Sequence, residues 1–511
     1  MCTSSPYLPF GVAPYGPYQN RRSITERIPE EIISLICNET ENSADTSHGP
    51  FAQKYTKNIN VLTFSQVCRT WRSHINSNAS LWKDVTFDVC DARSVRMAHH
   101  SLSVMERTDT LFAVYARLYG DLRPAVEVLI RLRPLIGRIM HLEYLGELGE
   151  CGRYLDLPAE NLRHLSGSLD LDPSAPRILS TPLFAGQMPC LRSIAMASAT
   201  HCMGWVVPLP TLTDLELVPP HLGHLVSLIS LFNLLDGLPA LRNLKLSGFG
   251  LIDDDNHTSL CATLPHLEIL DLNQSDIQTI VNHLCMPNIR KITFYGSSYP
   301  PGYSALSPVF RAPHFFARLS VPLLEQEIEE VFVMAGVGGF DKRFWIRLVA
   351  SNGCSLDVRM CWPRTMSQGW EGYVEHSIIA LGRHVLLSPG AQASLDFQVP
   401  FTRPFFTPFL HSPHIHRLTI NCGSAEEFFS SLATVSTPLP QLKTLEIVDL
   451  APTWDRVPQA LNSYLRARGI VLAVRDTRGP FPPLDTFDIP DTGYIMTFTS
   501  LLADALSEMQ F

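Results

Sequence analysis

A nine-residue phrase that recurs through the chain constrains its fold more than any other feature. The phrase reads Leu or Met, Pro, any residue, Leu or Ile, two further residues, Leu or Ile, one residue and an apolar residue, with Ser in first place in one copy. Successive copies lie 21, 29, 26, 22, 126 and 27 residues apart. Aligned on the second residue after Pro, they fall at Leu191, Leu212, Leu241, Leu267, Ile289, Ile415 and Leu442.

Weaker copies extend the series at Ile139–Tyr144, Asn161–Leu165, Phe316–Val321, Leu356–Met360 and Leu395–Val399. A period of about 20 to 29 residues around Leu-x-x-Leu-x-Leu resembles that of leucine-rich repeats. The end of each phrase would form a short strand whose leucines are buried as neighbouring units stack. This resemblance implies an α/β solenoid with irregular repeats. Leu222–Leu235 and Ile277–Leu284 are candidate helices for its convex side.

Alternate residues of the strands would line the concave face of such a solenoid. The series is polar and mixed in charge, which suits a folded protein or a charged peptide as ligand. A solvated sheet face is the alternative, because few residues of any interface carry much binding energy. As candidate substrate-binding residues we select Asp214, Glu216, Asn243, Lys245, Asp271, Lys291, Arg417 and Glu446.

Two amphipathic patterns near the N-terminus predict short helices. In Ile28–Cys37, Pro29 suits the first helical position, and two glutamates follow where the helix dipole favours negative charge. Apolar residues gather on one face of this segment and again on one face of Leu62–Ile75. Two helices this short cannot enclose a core, so we expect them to pack on each other and on a partner.

The order of these motifs resembles an F-box. Ile28–Ile32 follows the pattern LPxE(L/I), Val67–Arg72 follows VC(K/R)xW(R/K), and Leu81–Trp82 supplies the final LW. Ile replaces the commoner first Leu, and Asn38–Asn60 is a polar insertion that we expect to be an exposed loop. The overall pattern is most similar to F-box proteins of mushroom-forming fungi.

The F-box resemblance implies a substrate-recognition subunit of an SCF (Skp, cullin, F-box) ubiquitin ligase. A Skp-type adaptor and cullin would be its partners, together with an unknown protein substrate. The alternatives are an F-box scaffold that acts outside a ligase and a repeat protein that senses a small molecule. The implied adaptor-binding residues are Ile28, Pro29, Ile32, Ile36, Val67, Cys68, Trp71, Leu81 and Trp82.

Composition limits the remaining function classes. The 511 residues are 45% hydrophobic and 17% charged, which predicts a folded chain. A net charge of -9 without clustered Lys and Arg argues against nucleic acid as a partner. The twelve cysteines form no CxxC pair and no secretory segment precedes them, so we expect an intracellular protein, cytoplasmic or nuclear. No apolar stretch is long enough to span a membrane.

No pattern of catalysis, metal binding or cofactor binding stands out. The glycine-rich run Val331–Lys342 lacks the third Gly of a dinucleotide loop, and a turn between repeat elements is the alternative. The histidines of 411–416 have no Cys or carboxylate partners at zinc spacing. We therefore expect no enzyme activity, no metal and no cofactor in this chain.

These observations divide the chain into four segments. We predict a disordered tail at 1–23, an F-box-like domain at 24–90 with a polar loop at 38–60, a leucine-rich-repeat-like solenoid at 91–480 and a capping segment at 481–511. Between 320 and 400 the phrases fade and aromatic residues concentrate. This region is either a divergent part of the solenoid with a helix near 367–387 or a substrate-binding insertion, and core packing is the expected role of most of its aromatics.

Overall fold

The computed structural model describes residues 28–42, 49–146, 149–167, 183–196, 209–218, 225–248, 250–252, 261–273, 280–281, 283–297, 327–338, 341–363, 387–397, 414–422, 439–448 and 471–475. The chain divides into two compact units, Met1–Thr211 and Leu212–Phe511. The predicted tail, the capping segment and almost all of the predicted helix near 367–387 lie outside the described residues.

The N-terminal unit joins a helical region to a parallel sheet. The sheet order is β1-β2-β3-β4-β5, and each neighbouring pair is parallel. The helices are α1 (Glu30–Asn42), α2 (Gly49–Phe64), α3 (Arg69–Ser77), α4 (Ala92–Met105) and α5 (Arg123–Leu132), and the strands are β1 (Asp84–Asp88), β2 (Phe112–Leu118), β3 (Ile139–Gly146), β4 (His164–Gly167) and β5 (Ser193–Met196).

The second unit continues the strand pattern and contains the helix α6 (Leu228–Asp236). Its main sheet has the order β6-β8-β11-β13-β16-β15-β14-β17-β18-β19-β20, and β7–β9 and β10–β12 are two separate parallel pairs. The strands are β6 (Asp214–Leu217), β7 (Leu225–Ser227), β8 (Asn243–Ser247), β9 (Gly250–Ile252), β10 (Ala262–Thr263), β11 (Ile269–Asn273), β12 (Leu284–Cys285), β13 (Lys291–Ser297), β14 (Ile328–Gly338), β15 (Asp341–Ala350), β16 (Ser355–Pro363), β17 (Leu387–Phe397), β18 (Ile415–Cys422), β19 (Thr444–Val448) and β20 (Val471–Arg475).

The recurring phrase forms a turn followed by a strand. The residue before Pro accepts a backbone hydrogen bond from the N–H three residues on, as in Leu241 N–H to the Leu238 carbonyl at 3.1 Å and Leu442 N–H to the Leu439 carbonyl at 3.0 Å. Pro suits the second position of such a turn because its φ is already fixed near the required value. The strand then begins within two residues, and the aligned residues of all seven phrases are buried.

Burial alternates along the strands, as the phrase predicts. Leu244 and Leu246 of β8 are buried, whereas Asn243 and Lys245, which alternate with them, are half-exposed. The registers align equivalent positions, so that Leu244 lies beside Leu270 of β11. Each fully buried leucine contributes about 1.5–3 kcal/mol relative to an exposed one. The predicted fold class is therefore confirmed: a helical N-terminal region precedes a mostly parallel, repeat-like strand ladder.

An antiparallel insertion interrupts the ladder of the second unit. β13 pairs in parallel with β16 and β14 pairs in parallel with β17, whereas β15 runs antiparallel to both β14 and β16. The two hairpins β14–β15 and β15–β16 therefore add three strands to the ladder. β14 and β16 run in the direction of the repeats, and β15 runs in the opposite direction. The reversed strand β15 explains why the phrase fades between residues 320 and 400.

The predicted polar loop at 38–60 is wrong. Helix α1 continues to Asn42, and α2 begins at Gly49 and ends at Phe64. The predicted single helix Leu62–Ile75 is instead the end of α2, a break, and α3. The polar composition of the insertion suggested a loop, but its residues Phe51, Tyr55 and Asn58 follow helical spacing, and Phe51 and Asn58 are buried.

The two helices predicted for the convex side are each only partly helical in the structure. Leu222–Leu235 corresponds to the short strand β7 followed by α6, with residues 221–224 outside the described set. In Ile277–Leu284, only residues 280 and 281 are helical among those described, and Leu284 begins β12.

Helix α2 anchors the helical region on the first two strands. Lys57 Nζ lies 2.9 Å from Asp84 Oδ2, and the Lys57 side chain is only 1% exposed. Asn58 Nδ2 donates to the Asp84 carbonyl at 2.6 Å and to Thr86 Oγ1 at 3.0 Å. Phe51 packs with Ala113 and Tyr115 of β2.

Aromatic contacts extend this anchor. The Arg117 guanidinium lies 4.2 Å from the Phe51 ring centroid. The Tyr55 hydroxyl donates to Asp91, whose carboxylate also caps the N-terminus of α4. Burial, and then the hydrogen bond to Asp91, raises the pKa of Tyr55 to about 12. The same hydrogen bond lowers the pKa of Asp91, so the contact favours a neutral tyrosine and a charged aspartate.

Lys57→Met should destabilise the N-terminal unit by about 3–5 kcal/mol, because Asp84 would remain buried without its close cation. Urea denaturation followed by tryptophan fluorescence measures this effect. Lys54→Met is the matched control: Lys54 Nζ lies 3.8 Å from the same carboxylate and its side chain is 23% exposed. The control should cost less than about 1 kcal/mol. Equal losses for the two variants would contradict this role for the buried pair.

Candidate protein-binding surfaces

Helix α1 divides its apolar residues between the core and the surface. The Pro29 carbonyl accepts the N–H groups of Ile32 and Ile33, both at 3.1 Å, which starts the helix. Ile33 and Cys37, four residues apart, are fully buried. Burial raises the pKa of the Cys37 thiol to about 11, so this cysteine stays protonated. The residues that face the core are thus one position away from Ile32 and Ile36, which belong to the predicted apolar stripe of Ile28, Ile32, Leu35 and Ile36.

The predicted stripe itself is left largely on the surface. Ile32 is 44% exposed and Leu35 is 54% exposed, and Val67 in the link between α2 and α3 is 47% exposed. Pro29 is exposed as well. We call Pro29, Ile32, Leu35 and Val67 the F-box apolar set. Large apolar side chains exposed at one end of a folded chain are typical of a docking surface.

Three residues predicted to contact the adaptor lie in the protein's own core. Trp71, Leu81 and Trp82 are at most 5% exposed. The Trp82 indole N–H donates to the Ile75 carbonyl at 2.9 Å, and its ring packs edge-on against His100 at 4.7 Å. These three side chains hold the helices in place and offer no surface to a partner in this conformation.

Three other residues predicted to bind the adaptor are neither fully buried nor fully exposed. Ile28, Ile36 and Cys68 are half-buried. Cys68 is the N-cap of α3, where its Sγ accepts the Trp71 N–H at 3.5 Å. Leu35, which was not among the selected adaptor-binding residues, is the most exposed of the large apolar side chains described in α1.

A polar cluster fixes α1 against α3. Ser34 Oγ lies 3.1 Å from His74 Nε2 and accepts from Asn78 Nδ2 at 3.1 Å. The other ring nitrogen of His74 lies 3.1 Å from Glu30 Oε2. These contacts orient α1 so that its core side and its exposed apolar side are both defined.

The second unit places the predicted substrate-binding residues on one face of its strand ladder, here called the open face. Asp214 aligns with Asn243, and Glu216 aligns with Lys245. The members of each pair bind each other: Asn243 Nδ2 donates a hydrogen bond to Asp214, and Lys245 Nζ lies 2.7 Å from Glu216 Oε1 in an ion pair. Much of their hydrogen-bonding and charge is therefore used internally.

Arg417 and Glu446 lie apart from the others, on β18 and β19. Arg417 Nη2 donates to Glu446 Oε2 at 2.8 Å, and Thr419 Oγ1 donates to the same oxygen at 3.4 Å. The insertion β14–β16 and strand β17 separate this pair from β13. The eight predicted residues share a face, but they do not form one cluster.

Asp271 is the unsatisfied member of the series. Its neighbours in the register are Lys245 and Thr293, and Lys291 lies on the next strand. Oδ1 of Asp271 is buried and has no hydrogen-bond partner among the described residues. Burial raises the pKa of this carboxyl, and the charges of Lys245 and Lys291 offset only part of that increase.

The insertion brings aromatic and arginine side chains to the open face, which the sequence interpretation did not foresee. Phe332 of β14, Trp345 of β15, and Tyr295 and Arg359 of β13 and β16 are all half-exposed there. The Arg359 guanidinium lies 5.2 Å from the Tyr295 ring centroid and 4.7 Å from that of Trp345. In the sequence KRFWIRLV (342–349), every second residue from Phe344 onward is apolar, and Phe344 is buried. This period of two is the signal that could have revealed the face.

Comparison with known families bears on the helical region. Residues 25–88 match the family model described as F-box-like. These residues form an F-box-like domain. The match begins just before α1 and ends with β1, so it contains both the F-box apolar set and its buried support. No curated protein matches the chain.

The described part of the chain contains no membrane-spanning helix and no metal-binding cluster. None of its helices is long and apolar enough to cross a membrane. Within the same residues, no three His, Cys, Asp or Glu side chains are grouped so that they could hold a metal ion.

Asp271→Asn should stabilise the second unit at neutral pH. A carboxyl whose folded pKa is raised above its usual 3.8 destabilises the folded state when it is charged, and an amide removes that cost. The gain should disappear as the pH falls below this usual value, where the carboxyl is protonated in both states. Thermal unfolding of both proteins over this pH range measures the difference. Destabilisation at neutral pH would show that the charged carboxylate is satisfied in the fold.

Proposed function

We propose that this chain is the substrate-recognition subunit of an SCF-type ubiquitin ligase. Its F-box-like domain binds a Skp-type adaptor, through which a cullin is recruited, and its repeat-like strands bind the target protein. The observation that carries the proposal is the exposure of Ile32 and Leu35 on a helix whose Ile33 and Cys37 are fully buried, within the residues that match the F-box-like model.

The F-box apolar set supports adaptor docking on energetic grounds. Burying an exposed aliphatic side chain in an interface contributes roughly 1.5–3 kcal/mol, and each 1.4 kcal/mol changes affinity about tenfold. Ile32, Leu35 and Val67 together could therefore supply much of a stable interface. Ile28, Ile36 and Cys68 remain in this proposal as partly buried neighbours, and Trp71, Leu81 and Trp82 as its internal support.

The anchoring of α2 supports a fixed relation between the domain and the first strands. The buried Lys57–Asp84 pair and the hydrogen bonds of Asn58 join α2 to β1 directly. A ligase subunit of this kind acts by raising the effective concentration of the target near the transferring enzyme. The chain then needs no acid, base or nucleophile of its own.

For the repeats, we propose a leucine-rich-repeat-like solenoid that presents its open face to the substrate. Seven phrases with a shared turn and buried leucines support this assignment, and the antiparallel insertion is a departure from it. An intracellular location follows from an adaptor and cullin as partners. The similarity to proteins of mushroom-forming fungi stays an expectation.

Replacing Ile32 and Leu35 together by Asp should weaken adaptor binding at least tenfold, because two carboxylates would have to be buried in an apolar interface. A pull-down of the full chain with a purified Skp-type adaptor, followed by titration calorimetry, measures the loss. Ile130→Asp is the matched control, since Ile130 is 53% exposed on α5 and lies outside the F-box-like match.

The control should bind the adaptor as the unchanged protein does, and all three proteins should show the same thermal unfolding midpoint. Adaptor binding that survives the double substitution would contradict the proposed docking surface. Trp71→Ala is unsuitable for this purpose, because emptying a buried tryptophan site costs about 3–5 kcal/mol and would unfold the surface being tested.

A scaffold that binds the adaptor outside a ligase is the second candidate, because the F-box-like domain accounts for adaptor binding alone. Co-purification separates the two functions. Recovery of the adaptor together with a cullin supports the ligase subunit. Reproducible recovery of the adaptor without cullin would replace that proposal with the scaffold.

A further inference from the structure

The open face of the insertion carries a cluster with the composition of a binding hot spot. Trp, Tyr and Arg are the residues enriched at the positions that dominate protein–protein affinity. Here they lie on neighbouring strands in matching register, where Trp345 aligns with Arg359 and Phe332 aligns with Arg347. We call Tyr295, Phe332, Trp345, Arg347 and Arg359 the aromatic–arginine patch.

Hydrogen bonds fix the centre of this patch before any partner binds. Asp357 accepts from Arg359 Nε at 3.0 Å and from Arg359 Nη2 at 3.0 Å, and also from the Trp345 indole N–H at 2.7 Å. The Trp345 ring packs edge-on against Phe332 with centroids 4.7 Å apart. Side chains that are already ordered lose little conformational entropy on binding. The free energy of the contacts made here therefore contributes more fully to affinity.

The charge of the patch opposes that of the whole chain. The chain has a net charge of -9. On the open face of β13–β16 the described Lys, Arg, Asp and Glu side chains are four cations, Lys291, Arg343, Arg347 and Arg359, and two acids, Glu330 and Asp357. Asp357 is committed to Arg359 and Trp345. Arg347 is exposed and forms no ion pair with a described residue, which leaves its guanidinium available.

We propose that the aromatic–arginine patch binds an acidic segment of the substrate protein. A carboxylate of the segment pairs with Arg347, and a neighbouring apolar side chain packs on the rings of Trp345 and Phe332. This inference rests on the proposed function, because it names the substrate class that the open face selects. It adds residues that were not among the eight predicted from the repeats.

The planar guanidinium favours a carboxylate partner, since the two groups form paired hydrogen bonds of fixed geometry. The adjacent rings require an apolar neighbour in the same segment. A nucleic acid is a poorer fit, because phosphate binding needs a longer run of cations than this face provides, and the overall negative charge opposes it. A mixed acidic and apolar peptide matches both features.

The test is selection from a displayed library of random twelve-residue peptides on the immobilised full-length chain. Enriched peptides should carry Asp or Glu next to a large apolar residue. Arg347→Glu should reduce their binding at least tenfold, measured by fluorescence anisotropy with one labelled enriched peptide. Trp345→Phe should weaken it less and should retain the acidic preference, because the neighbouring guanidinium is unchanged.

Arg107→Glu is the charge-matched control, because it changes the net charge equally at an exposed position in the other unit. It should leave peptide binding unchanged. Enrichment of basic or neutral peptides, no enrichment at all, or an equal loss with Arg107→Glu would overturn the proposal. Binding of an oligonucleotide that competes with the peptide and is lost in Arg347→Glu would also overturn it.

The Ile32→Asp/Leu35→Asp protein separates this inference from the proposed function. It should select the same peptides even though it no longer binds the adaptor. Loss of adaptor binding with retained peptide selection supports both parts. Intact adaptor binding with no acidic selection rejects the patch alone.

Discussion

The alternate burial of strand residues is the constraint on which the rest of the structure depends. A single phrase such as 238–246 has four leucines to bury, and they are covered only when the next strand aligns in register beside it. The Pro-containing turn ahead of each strand sets that register by placing a buried residue at the same point in every unit. The opposite side chains are thereby held in rows, which makes an ordered polar face possible.

A ladder of parallel strands needs protection at its first strand, because an exposed edge invites pairing with other chains. β1 is that strand in the N-terminal unit, and four of its five residues, Asp84–Phe87, are buried. Helix α2 contributes by inserting Lys57 and Asn58 against Asp84 and Thr86. The F-box-like domain therefore has two roles that use different sides of its helices: it covers the start of the sheet and exposes Ile32 and Leu35.

Much of the fold could be predicted from the sequence, because burial in a repeat depends on local periodicity. The seven clear phrases correctly identified β5, β6, β8, β11, β13, β18 and β19, and the motif order identified the F-box-like region. The weak copy at Phe316–Val321 lies outside the described residues. The role of α2 could not be predicted in the same way, since Lys57 and Asn58 are polar and their partners lie more than twenty residues away in β1. Their burial depends on tertiary pairing that composition does not reveal.

The adaptor-binding residues were predicted in part: the motif identified Ile32 and Val67, but motif membership does not separate exposed positions from the buried Trp71 and Trp82. The sequence left the insertion as one of two alternatives for 320–400, because β15 reverses the strand direction and breaks the phrase.

We propose that the exposed side of α1 joins the chain to an adaptor while the strand ladder stays free for a second partner. Hydrogen exchange of the full chain, alone and with a Skp-type adaptor, distinguishes these two surfaces. We predict slower exchange in α1 and in the link around Val67 when the adaptor is bound, with exchange in β6–β19 unchanged. Protection confined to the strand ladder, or no protection in α1 when the adaptor is bound, would contradict it.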